Sequence, residues 1–300
     1  MKSALLLIFF NIYGMLKAME KIPVSTINPE ISNLPDLIPR LEGLPKGHAV
    51  LFSHQTNHRI ASLPSALLIA ENSKYREGRE DSMHDVWFAD ATIHDNDGKP
   101  LSRLPIALKP YDEDSTVLAG RDYKTSLELS RIGGVDRKIV YSCAGFMRDH
   151  DSGILNSITQ FEEGVTSCDN LLFNPERSAD DIYLALTTAA ESLAFLHGEA
   201  GMVHGDFLPR NSAYDSSLQF RIIDMTTIRK STNPDDYIDD VTRYMLGAQD
   251  PNIHEELRVP TETLTELFLK KYQSEVGRDL PNSVREEVIG KVGCLLSRLS

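Results

Sequence analysis

The chain has 300 residues, 41% of them apolar and 25% charged, with three cysteines. That composition excludes wholesale disorder and a disulfide framework, and the length suffices to bury a core without covalent staples. Lys and Arg number 31 against 44 Asp and Glu, a formal net charge of −13. Phosphate-backbone binding wants a basic face, so this balance speaks against nucleic acid as a main partner.

Residues 3–16 read SALLLIFFNIYGML behind a single Lys2. The run falls short of the about 20 apolar residues of a membrane span. The small residue that a signal cleavage site wants two places before Ala18 is also missing. Three readings of residues 1–18 stand: a signal or anchor, a helix packed on the body, or a start at Met15 or Met19. The expected location is cytoplasmic. Secretion or membrane anchoring through residues 1–18 is the alternative, and a membrane is a partner only in that case. Residues 19–49 carry Pro23, Pro29, Pro35, Pro39 and Pro45 and read as a wrapping segment or linker.

Residues 50–163 are mainly strand-like. Residues 86–93 alternate loosely, Asp97-Gly98 is a hairpin dipeptide, and residues 103–108 form the return strand. A helix is expected over 116–131, ended by Gly133-Gly134. Residues 139–146 and 154–161 form a second hairpin.

Residues 164–300 change character. A long helix is expected over 178–196, capped by Ser178, with Asp180 and Asp181 in its first turn and Gly198 at its end. Its apolar positions are Ile182, Leu186, Ala189, Ala190, Leu193 and Leu196. Residues 220–224 read as a buried strand, and 237–246, 261–272 and 284–299 as helices. The expected class is α+β. A sheet with one helix occupies the front half and a mostly helical body the back half, with a ligand cleft between two lobes.

The chemistry concentrates after the long helix, in His204-Gly205-Asp206-Phe207-Leu208-Pro209-Arg210-Asn211, followed thirteen residues after Asn211 by Asp224 at a strand end. A nucleoside triphosphate is a polyanion handled with Mg2+, a cation that takes oxygen ligands, and Asn211 and Asp224 offer them. Asp206 is placed to orient an acceptor hydroxyl and take its proton.

The segments HGDFLPRN and IIDM resemble the catalytic and metal loops of the protein-kinase-like superfamily. The His-Gly-Asp form is similar to aminoglycoside phosphotransferases, choline kinases and related atypical kinases. The resemblance runs from about Asp85 to Met245. It implies a two-lobed protein-kinase-like fold with an antiparallel-sheet N-lobe carrying one helix and a mainly helical C-lobe. It also implies ATP and Mg2+ as cofactors.

By the same resemblance, Lys109 in Pro105-Ile106-Ala107-Leu108-Lys109 is the phosphate-binding lysine of a V-A-I-K-like strand. Glu128, nineteen residues on, is its expected partner, with Asp122 the competitor. Phe161 and Glu162, in the hinge segment 158–164, are expected at the adenine. Asp240 stands where the family often braces the catalytic loop, and His204 orients that loop.

The pattern departs from the family in three places. The glycine-rich loop is absent, since residues 71–80 contain one glycine. Met225-Thr226-Thr227 replaces Phe-Gly, with no Ala-Pro-Glu platform for a peptide substrate. Gly205 removes the arginine that pairs with an activating phosphate, so no activation-loop switch is expected. These departures favour a small hydroxyl acceptor over a standard protein substrate. The acidic balance hints at a cationic one. The alternative is a pseudokinase that acts as an interaction module, with or without nucleotide.

Overall fold

Residues 22–27, 34–52, 66–69, 74–75, 87–111, 115–133, 139–141, 143–160, 165–168, 178–215, 219–248, 261–276, 286 and 289–290 are described by a computed structural model. They form a mixed α+β protein that divides into two compact units. One is Met1–Lys124 with Ser142–Phe161; the other is Thr125–Tyr141 with Glu162–Ser300. Residues 1–18, Phe161 and Glu162, and residues 71–80 apart from Lys74 and Tyr75 lie outside the described set. So does most of the helix expected over 284–299. Among the described residues no helix is long and apolar enough to cross a membrane.

The first unit is built on one sheet. Its strands are β1 (Ile22–Ile27), β2 (Ala49–Phe52), β3 (Ala66–Ile69), β4 (Lys74–Tyr75), β5 (Trp87–His94), β6 (Pro100–Tyr111), β7 (Cys143–Arg148) and β8 (Leu155–Gln160). The strands follow the order β3-β1-β2-β7-β8-β6-β5-β4, and β3 also pairs with β5. Seven described strands therefore close into a ring, with β4 beyond β3 along the same edge of β5. Closure removes free edges.

Two features differ from the sequence expectation. The proline-rich stretch supplies β1, the helix α1 (Leu34–Glu42) and the approach to β2, so the unit carries more than one helix. The β1–β2 pair is parallel inside an otherwise antiparallel sheet. A nine-residue helix between them makes the crossover that a parallel pair requires. Arg148 ties this addition down: its guanidinium donates to the carbonyls of Leu41 at 2.7 Å and Leu44 at 2.8 Å, at the end of the helix where carbonyls run out of intrahelical donors.

Local chemistry sets the two hairpins. At the β5–β6 turn the Asp95 carboxylate accepts from the backbone N–H of Asp97 at 3.0 Å and of Lys99 at 2.8 Å, and Gly98 takes φ +76°. At the β7–β8 turn Asp149 does the same for Asp151 and Ser152.

Alternate residues face into the ring, among them Ala49 and Leu51, Ala89, Ala91 and Ile93, Ile106 and Leu108, and Ile158. On the outer face Phe52 stacks on Tyr123 of α2 (Thr116–Gly133), ring centroids 4.1 Å apart, with Phe146 edge-on to Phe52 at 6.0 Å.

The second unit packs around a long helix. Here β9 (Thr166–Ser167), β11 (Ser212–Tyr214) and β12 (Phe220–Ile222) form a small sheet, and β10 (Met202–Val203) pairs with β13 (Arg229–Lys230). The helices are α3 (Ala179–Gly198), α4 (Pro234–Gly247) and α5 (Thr261–Val276). Ser178 closes a capping box with Asp181 at the start of α3. Asn233 caps α4, with Pro234 at its first position. The apolar face of α3, including Leu186, Ala189, Ala190 and Leu193, is fully buried against Tyr244 and Met245 of α4 and Phe268 and Leu269 of α5. The strand expected over 220–224 ends at Ile222, which leaves Asp224 outside the ladder.

Gly145 has no room for a side chain. The β7–β8 register slips between Cys143 and Gly145, and a Cβ on Gly145 would overlap the Val50 carbonyl oxygen of β2. Backbone cannot swing aside as a side-chain tip does. We expect Gly145→Ala to destabilise the protein by about 1–3 kcal/mol or more. A denaturant midpoint equal to wild type would contradict the closeness of β2 and β7.

Candidate functional site

The loop that carries Asp206 begins where α3 ends. Glu199 and Ala200 donate back to the Phe195 carbonyl, and Gly201 at φ +61° turns the chain into β10. The helix ends at Gly198 as the sequence suggests, and the left-handed turn residue follows three positions later.

His204 follows β10 and is fully buried, as is Asp240 on α4. The Asp240 carboxylate accepts from the backbone N–H of His204 at 2.6 Å and of Gly205 at 2.8 Å. It also takes His197 Nε2 of α3 at 3.1 Å. Since the carboxylate accepts, Nε2 carries the imidazole proton, and Nδ1 receives the Tyr272 hydroxyl of α5 at 2.7 Å. Three helices thus converge on two peptide N–H groups of the loop. Gly205 sits at φ +80°, where any L side chain is strained.

Asp206 and Asn211 are in direct contact. Asn211 Nδ2 donates to the Asp206 carbonyl at 2.8 Å and to Asp206 Oδ2 at 2.9 Å. Both partners are acceptors, so the amide nitrogen faces them and the amide oxygen is turned elsewhere. The 3-10 turn Pro209–Asn211 gives the spacing its reach: the chain folds back so that position five returns to position zero. Ile223 N–H then donates to the Asn211 carbonyl at 3.0 Å, and β11 pairs with β12, which puts Asp224 next to Asn211. Asp224 Oδ1 accepts from the hydroxyl of Thr226 at 2.6 Å and from its N–H at 3.1 Å. Thr226, two residues on, therefore orients the carboxylate.

Burial lowers the His204 pKa below its ordinary 6.5, against the opposing charges of Asp240, Asp224 and Asp206. Those three carboxylates surround one neutral ring. Its Nδ1 accepts from the Asp206 N–H at 3.3 Å, an orienting role.

In the first unit, Lys109 on β6 bonds Asp122 of α2, Nζ to Oδ2 at 3.1 Å, with both side chains largely buried. Tyr111 donates to the same oxygen at 2.7 Å. Burial, then the Asp122 charge, raises the Tyr111 hydroxyl well above its ordinary pKa, so it stays a donor. The expected Lys109–Glu128 pair is corrected by this contact. Glu128 lies about 120° around the helix from Asp122. It bonds Lys230 of β13 instead, at 2.9 Å.

Asp206, Asn211, Asp224 and Asp240 thus come together in one unit, and Lys109 and Asp122 pair in the other. Phe161 and Glu162 lie outside the described residues. Sequence reasoning missed Arg243, whose Nη1 lies 3.5 Å from Asp206 Oδ1. It missed Gly247, where a Cβ would overlap the Pro209 ring. Their signal was helical spacing: 240, 243 and 247 share one face of α4. His197 and Tyr272 had no local signal.

Among the described residues no group of three or more His, Cys, Asp and Glu side chains could hold a metal. Asn211 and Asp224 lie on neighbouring segments, joined by the bond from the Ile223 N–H to the Asn211 carbonyl. No family model matches the chain, and no curated protein matches it.

The buried histidines set an acid limit on stability. Burial also lowers the His197 pKa below 6.5, with Asp240 opposing. Above 6.5 folded and unfolded forms are both neutral. Below it the unfolded chain takes up protons that the folded chain refuses, so stability falls as pH falls from about 6.5 toward the folded pKa values. Each histidine adds at most about 1.4 kcal/mol per pH unit. We expect urea midpoints to drop from pH 7 to pH 5, with a shallower slope in His197→Gln. Equal slopes in both proteins would overturn the neutral, buried assignment.

Proposed function

We propose that this chain is an ATP- and Mg2+-dependent phosphotransferase of the atypical kinase type, which moves the γ-phosphoryl group to a hydroxyl of a small molecule. We read its sheet unit and its helical unit as the two lobes of a protein-kinase-like fold, in the cytoplasm where ATP is supplied. One observation carries the reading: Asn211 holds Asp206 while its own carbonyl is tied to the residue before Asp224. The tie supports the reading because it brings the proposed proton acceptor and the two proposed metal ligands onto neighbouring segments.

In this reading Asp206 receives the acceptor hydroxyl and takes its proton as the new phosphoester bond forms. The contact with Asn211 sets the carboxylate's plane. Asp240, held by His197, keeps the peptide of His204 and Gly205 from rotating. Bound Mg2+ neutralises phosphate charge, and Asn211 and Asp224 would hold it. Lys109 pairs with phosphate oxygens, and Asp122 holds its ammonium in place through the 3.1 Å contact. Gly205 and Thr226 stand where a regulated kinase carries its switch residues, in keeping with constitutive action on a small acceptor.

The test is ATP consumption by purified protein with Mg2+, using a mixture of small-molecule acceptors. We expect Asp206→Ala to lower kcat by about 10²–10⁴. Equal rates in wild type and variant would end the phosphotransfer reading. Stabilisation of both by ATP–Mg2+ without turnover would instead support the interaction-module alternative, because a ligand stabilises only a fold that binds it.

A second comparison separates the two acids of α2. We expect Asp122→Asn to raise the KM for ATP about tenfold, roughly 1.4 kcal/mol of lost binding. Glu128→Gln should leave it within about twofold, since the Glu128 pair with Lys230 is partly exposed. The reverse ranking would reinstate Glu128.

A further inference from the structure

We propose that the acceptor is a hydroxyl compound bearing an anionic group, and that Arg243 binds this group beside Asp206. The inference rests on the phosphotransfer reading and names its substrate class.

Arg243 is placed by the helix that braces the loop. It lies on α4 one turn before Gly247, whose α-carbon packs on Pro209, so this face of α4 lies along the loop from Asp206 to Pro209. Its Nη1 stands 3.5 Å from Asp206 Oδ1, while half of its side chain remains in solvent. An exposed pair at that distance contributes little to stability. A guanidinium has five donors in a fork that matches a carboxylate or phosphate. One long contact leaves most of that capacity facing water.

The division of the Asp206 oxygens points the same way. Oδ2 is taken by Asn211 at 2.9 Å, so Oδ1, the oxygen beside Arg243, is left to meet an acceptor hydroxyl. An acceptor docking there must displace the guanidinium or share the oxygen with it. An acceptor with its own anion gives the guanidinium a new partner as it moves aside. A cationic acceptor would meet Arg243 head-on. Arg210, exposed in the same turn, adds a second positive charge to the loop.

The net charge of −13 suggests the opposite, a cationic acceptor. Distant charges are screened over about 8 Å at physiological salt, so an arginine in contact with the reacting carboxylate outweighs them. The step is balanced: the acceptor oxygen bonds the γ-phosphorus, the bond from that phosphorus to the β,γ-bridging oxygen breaks, ADP leaves with the electron pair, and the hydroxyl proton passes to Asp206.

The experiment uses the full chain, ATP labelled in its γ-phosphate, and a small-molecule extract separated by ion exchange into anionic, neutral and cationic pools. Label is expected in a product from the anionic pool. With that pool, Arg243→Gln should raise the acceptor KM at least tenfold while the KM for ATP stays within twofold, and Arg243→Lys should recover part of the loss. Label transferred from the neutral or cationic pool, or an acceptor KM that Arg243→Gln leaves unchanged, overturns the inference while phosphotransfer stands. Label from no pool, with ATP hydrolysis equal in wild type and Asp206→Asn, overturns the phosphotransfer reading and this inference with it.

Discussion

The carboxylate of Asp240 is the constraint on which the rest of the site depends. It is fully buried, and three N–H groups converge on it, two of them from the peptide bonds of His204 and Gly205. Hydrogen bonds to a charged group contribute roughly 1.5–3 kcal/mol each, and burial makes their loss dearer. A short loop between α3 and the 3-10 turn would otherwise have several backbone arrangements open to it. With Asp240 in place the loop has one, and every later contact inherits it: His204 under Asp206, Asn211 on Asp206, Ile223 on Asn211.

Steric closeness adds to this electrostatic clamp. Gly247 brings α4 so near Pro209 that no side chain fits between them. Tyr272 carries the constraint outward, because its hydroxyl fixes the tautomer that lets His197 donate to Asp240. The loop is therefore positioned by α3, α4 and α5 together, each contributing one polar side chain or one absent side chain to an otherwise apolar core.

How much of this was legible in sequence depended on how local its cause was. Helix α3 was readable because Ser178, Asp181 and the apolar repeat all lie within it, and the β5–β6 turn because Asp95 and Gly98 act on their own neighbours. The association of Asp206 with Asn211 was readable as a spacing, since one 3-10 turn closes it. The partner of Lys109 was not. Asp122 and Glu128 are both acids on α2, and only the direction from which β6 meets the helix decides between them. The β1–α1–β2 addition was hidden by its prolines, which read as linker although Pro23 occupies a strand and Pro39 a helix. The closed ring was hidden for a different reason: β3 meets β1 and β5 only after both have been placed by the rest of the sheet.

The site thus separates two kinds of charge. Asp240 is deep, fully committed to hydrogen bonds and unable to meet a ligand; it sets geometry. Asp206 is one-third exposed, with one oxygen given to Asn211 and the other shared loosely with Arg243. Rigidity is concentrated on the side of Asp206 that faces the protein, and the side that faces solvent is left adjustable. Under the proposed transfer reaction that order is useful, because a proton acceptor has to be oriented before an acceptor molecule arrives, while groups proposed to recognise that molecule have to exchange partners. A carboxylate held on one side by Asn211, beside a half-exposed guanidinium with a single long contact, would meet both requirements with two side chains over one loop.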